Sequence, residues 1–172
     1  MIRVVSYIAI IFISFVLQTS VFPMMTFLQS TPNIMLILTF TFAILRGREE
    51  GLIVGVICGL LMDFGSGGLI GFYGLFYMFV GYLLGFLSQH INEDTPIVPI
   101  VLAVVCEMLF HFYVFMFRYL LRGRLGFGTY FNNIMLAEII ITTVLALFIY
   151  GLLLLGNDKL EAYEQRSALK FA

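Results

Sequence analysis

Charge is scarce in this chain. Nine Lys and Arg and ten Asp and Glu are spread over 172 residues, 11% in all, for a formal net charge of -1. Basic residues so few and so scattered form no face for nucleic acid, and their attraction to anionic lipid is modest. Cysteine is scarce as well. Cys58 and Cys106 both fall inside apolar runs, where a buried thiol behaves as a small hydrophobe. Two lone cysteines supply neither a disulfide framework nor a metal site. The signatures of catalysis are missing: no nucleophile stands beside a base, no paired histidines have zinc spacing, and no phosphate-binding glycine loop leads into lysine and serine or threonine. Intramembrane proteolysis therefore has little support. The chain is expected not to be an enzyme and to need no cofactor and no metal. It carries no internal repeat or low-complexity segment.

What it has in abundance is apolar surface. Hydrophobic residues make up 62% of the sequence and its mean hydropathy is +1.07, more than a soluble core could hide. The expectation is an all-α integral membrane protein, because apolar runs near 20 residues suit helices better than the ten-residue alternation of a membrane barrel. Arg3 followed by an apolar run is like the first half of a signal peptide. Gln18, Thr19 and Ser20 make a poor cleavage site, however, so an uncleaved first span is expected.

Hydropathy gives six candidate spans: Val4 to Val21, Pro32 to Leu45, Gly51 to Met62, Leu69 to Ser88, Ile97 to Leu121 and Tyr130 to Leu155. Thr31 and Pro32 read as the cap and first residue of the second helix. That helix is short, so Arg46 must snorkel or the bilayer must thin. The third is shorter still, broken at Gly65, Ser66, Gly67 and Gly68, and reads either as a crossing or as a re-entrant half-helix. The distribution of Lys and Arg does not choose between the two topologies. Residues 1–155 are expected to form one helical bundle. Residues 156–172 are expected to be a short polar cytoplasmic tail, either solvated and frayed or an amphipathic helix.

Two sets of residues stand out. Gly51, Gly55 and Gly59 recur every four residues, as do Gly81 and Gly85, so each set lines one helix face as a groove for close packing within the bundle or with a partner helix. Asp63, Glu107, His111, Arg118 and Glu138 are ionisable residues in membrane segments, costly unless paired. Glu107 and His111 share a helix face four residues apart, and Glu138 falls at a similar depth on the next helix. A hydrogen-bonded structural lock is the preferred reading, ahead of a proton or ligand site and of a metal site, which would need further ligands. Asp63 and Arg118 fall near the same membrane face and are candidate partners for each other.

With those residues in view, the chain resembles the bacterial rod shape-determining protein MreD family over most of its length. The resemblance rests on order: Gln18 and Pro23 at the end of the first span, the Pro32-Asn33 helix start, Gly59 to Asp63, then the glycine- and aromatic-rich Gly71 to Gly85. It implies a multi-pass scaffold in the bacterial inner (plasma) membrane, serving cell shape and peptidoglycan synthesis with MreC, the actin-like MreB, RodA and a class B penicillin-binding protein. A homo-oligomer is also allowed. The family is similar in architecture to the substrate-binding components of energy-coupling-factor transporters, which implies about six transmembrane helices with both termini cytoplasmic. That kinship also supplies an alternative function: a vitamin-binding membrane component whose outer pocket would draw on Asp63, Tyr73, Tyr77 and Arg118. The preferred partner surface is the glycine faces, offered to the single membrane helix of MreC.

Overall fold

A computed structural model describes residues 2–24, 31–67, 69–90, 95, 97–119 and 135–170, with the side chains of 2–4, 118–119 and 158–170 outside the description. Among the described residues there are six α-helices and no strand. They are α1 (Ile2–Val16), α2 (Ile34–Arg46), α3 (Arg48–Ser66), α4 (Phe72–Leu87), α5 (Ile97–Val114) and α6 (Leu136–Lys170). A π-helical turn, Leu17–Val21, and a 3-10 turn, Phe22–Met24, extend α1, and a second π-helical turn, Phe115–Tyr119, extends α5. Four stretches are long and apolar enough to cross a membrane: Val5–Met24, Phe72–His90, Ile97–Phe117 and Leu136–Asn157.

The short α2 is the centre of the molecule. All eleven residues from Ile34 to Ile44 are buried, and α1, α3, α4, α5 and α6 each contact it. A helix apolar on every face belongs inside a bundle. Its 13 residues span about 20 Å, less than a hydrocarbon core of about 30 Å, but the surrounding helices and not the lipid meet its sides. Thr39 and Thr41 fit this enclosed position by donating to the carbonyls of Met35 and Ile37 one turn back.

The cap of α2 differs from the one expected from sequence. Asn33, not Thr31, caps the helix, its side-chain oxygen accepting from the Leu36 amide at 3.3 Å. The helix accordingly begins at Ile34, after Pro32. Asparagine is the better cap, and its acceptor lies where the third helical amide needs one.

α3 is a continuous helix of 19 residues, about 28 Å long. It runs antiparallel to α4 in backbone contact, through the glycines. A Cβ added at Gly51 would come within 2.8 Å of both the Ala43 Cβ and the Gly81 carbonyl, and one at Gly59 within 2.7 Å of the Tyr73 carbonyl. Gly55 faces the Tyr77 carbonyl and Gly85 the backbone of Arg48. The turn between the two helices needs Gly67 and Gly71 at φ +60° and +97°, a region that side chains disfavour.

α4 meets α5 by different means. Here aromatic rings fill the gap: Phe72 on Tyr113 at 4.7 Å between centroids, Phe76 on Phe110 at 5.5 Å, and Tyr73 on Phe110 at 5.7 Å. Large apolar side chains point outward around the bundle, among them Ile8 and Phe12 on α1, Leu75 and Phe79 on α4, Met108 and Phe112 on α5, and Ile140 and Phe148 on α6. That surface suits lipid. The backbone of α6 stays helical through Lys170, so the polar segment after Leu155 continues the helix instead of fraying.

Candidate functional site

Consecutive helices alternate in direction, so the end of α1 and the starts of α2, α4 and α6 gather at one end of the bundle. Hydrogen bonds fix this arrangement. Gln18, on the π-helical turn, accepts from the Met35 amide at 2.8 Å and donates to the Asn33 side chain at 3.4 Å. Tyr77 donates to the same Asn33 oxygen at 2.6 Å, and the Asn33 amide donates to the Thr142 hydroxyl at 3.1 Å. Asn33 thereby ties α1, α2, α4 and α6 together. Because Asn33 keeps two other donors, the Tyr77→Phe variant is expected to lose only about 1 kcal/mol, read as a small drop in thermal midpoint with insertion unchanged.

Beside this hub lies a cavity of about 180 Å³ whose polar lining includes Gln18, Asn33, Tyr73, Tyr77, His111 and Glu138. The same region holds the carboxylate–histidine group. His111 Nε2 is 3.6 Å from Glu107 Oε2 and 3.7 Å from Glu138 Oε2. Glu107 is wholly buried, His111 nearly so, and Glu138 partly. The depth and face read from sequence thus bring these three residues together.

Asp63 lies in the last turn of α3 and is 1% exposed. Its carboxylate accepts from the amides of Gly71 at 2.8 Å, Tyr73 at 2.8 Å and Gly74 at 3.0 Å. These donors open α4, so Asp63 both satisfies the free amides of a helix start and places negative charge at its positive end. The carboxylate is thus engaged by backbone amides. The pairing with Arg118 expected from the sequence falls on a side chain outside the described residues.

The rod shape-determining protein MreD family model matches residues 1–155. The chain belongs to the MreD family. No curated protein and no solved structure matches it. MreD membership carries a role in rod-shape determination and a membrane setting, which the four apolar stretches suit.

Of the two readings of the glycine faces, close packing within the MreD bundle is the one the geometry fits, and the surface for a partner helix is the one it corrects. Gly51, Gly55 and Gly59 are pressed against the backbone of α4, and Gly81 and Gly85 against that of α3. No groove is left there for another helix, because each face fills the other. Thr142 does not stand out in the sequence, and neither does the extent of the Asn33 and Gln18 contacts. A lone amide in an apolar span is the available signal for Gln18. Thr142 offers none, since a threonine hydroxyl in a helix commonly bonds to its own preceding turn.

Proposed function

We propose that this chain is a non-enzymatic scaffold of the bacterial cell-elongation complex, binding MreC and linked through it to MreB, RodA and a class B penicillin-binding protein. The observation that carries the reading is the MreD family match over residues 1–155. The bundle sits in the inner membrane as six crossings with both termini cytoplasmic, which sets the cavity and Asp63 toward the outer side. Alternating helix directions and the full length of α3 support that topology. The enclosed α2 removes the objection that its span is too short.

The glycine faces being consumed within the chain, a partner's membrane helix docks on the outward apolar surface of the bundle. The vitamin-binding alternative draws support from the cavity and from Tyr73 and Tyr77 in its wall. At about 180 Å³ that cavity is smaller than the roughly 300–1,000 Å³ of pockets that enclose drug-sized ligands, so it ranks second. The test is purification of the tagged chain from membranes that also contain MreC. MreC is expected in stoichiometric yield. Its absence, together with a tightly held vitamin in the purified protein, would sink the scaffold reading in favour of the alternative.

A further inference from the structure

The scaffold role gives no work to Glu107, His111 and Glu138. Two carboxylates and an imidazole meet inside an apolar bundle, with one ligand-type atom from each lying within 4.8 Å of the others. The contacts of His111 with the two carboxylates, 3.6 and 3.7 Å, exceed the roughly 2.7–3.2 Å of an N–H···O hydrogen bond. Glu107 is 0% exposed and neither of its oxygens has a hydrogen-bond partner. The Thr142 hydroxyl lies beside this carboxylate without closing a hydrogen bond of good geometry to it. A buried carboxylate so placed is costly for a group that serves only as a lock.

We propose that Glu107, His111 and Glu138 form a binding site for a divalent transition-metal ion of the Zn²⁺ type. Zinc binds histidine nitrogen and carboxylate oxygen at about 2.0–2.2 Å, which spaces the donors of a tetrahedral shell about 3.5 Å apart. Two of the three spacings are within a few tenths of an ångström of that value, and the third closes by rotation of the Glu138 carboxyl, the least buried of the three. Charge agrees with geometry. Two carboxylates balance a divalent ion and the imidazole stays neutral, so the loaded site carries no net charge into the low-dielectric interior. The imidazole favours zinc and its neighbours in the first transition row over Mg²⁺ or Ca²⁺. His111 and Glu138 also line the cavity, which supplies an entry path and room for a fourth ligand such as water. Thr142 stands where an outer hydroxyl can orient Glu107.

The test uses the full chain in lipid nanodiscs, purified by a tag without histidines, stripped with chelator and titrated with Zn²⁺ or Co²⁺. About one Zn²⁺ per chain is expected, and Co²⁺ is expected to give the visible absorption of a four-coordinate site. Glu107→Gln, His111→Gln and Glu138→Gln should each weaken Zn²⁺ binding by about 100-fold or more, while His90→Gln, which replaces the other histidine, should leave it unchanged. Should Glu107→Gln fail to insert, Glu138→Gln, at the rim of the cavity, decides alone. Less than about 0.1 Zn²⁺ per chain, or binding that survives His111→Gln or Glu138→Gln, would overturn the site and leave a proton-sharing lock.

Discussion

Gly81→Ala is expected to destabilise the bundle by roughly 3 kcal/mol, and Gly81→Leu to separate α3 from α4 altogether. The added Cβ would run into the backbone carbonyl of Gly51, an atom that no side-chain rotation can move aside. Relief therefore requires shifting one helix against its neighbour, and the displacement spreads to Gly55 and Gly59, which depend on the same separation. α6 carries its own control. Gly151 has nothing within 4 Å of a built Cβ, so Gly151→Ala should be neutral or slightly stabilising through better helix propensity. Thermal unfolding in detergent, followed by intrinsic tyrosine fluorescence or differential scanning, compares the two directly. Equal midpoints would show that α3 and α4 do not meet through their glycines.

Asp63→Ala is expected to cost about 3 kcal/mol or more, and Asp63→Asn to recover only part of that loss. Three amides at the start of α4 lose their acceptor in the alanine variant, and the site is too buried for water to replace it freely. Asparagine restores one acceptor oxygen but presents an amide donor toward N–H groups and lacks the charge that favours a helix start. Asp63→Glu is longer by one methylene and should fall between them. The loss is expected to appear first as local opening of the α3–α4 turn, measured as faster amide hydrogen exchange at Gly71, Tyr73 and Gly74. Unchanged exchange at those amides in Asp63→Ala would rule out the anchoring role.

Part of this arrangement is legible in the sequence. The four-residue glycine spacing marks the faces of α3 and α4, and the Glu107/His111 spacing marks one face of α5, because helical periodicity is local and depends only on a residue's neighbours in the chain. Depth, counted at 1.5 Å per residue, brings Glu138 to the same level. The cap of α2 falls two residues later than the sequence suggests, since Thr31 and Asn33 are both good caps and only the geometry of the hub shows which amide each can reach. Asp63 stands out as the one charge between Gly51 and Phe86, but that its carboxylate meets the amides opening α4 depends on where the turn after it goes.

The membrane setting and the helical class follow from the sequence alone, since hydropathy and period are summed along the chain. That the glycine faces of α3 and α4 fill each other, that the short α2 is enclosed and not lipid-facing, and that Asn33 joins four helices emerge only from the packing. Those outcomes turn on helix rotation and choice of neighbour. Among helices that are apolar on most faces, hydropathy leaves both nearly free, and it is close backbone approach and the pairing of a few buried polar groups that select one arrangement.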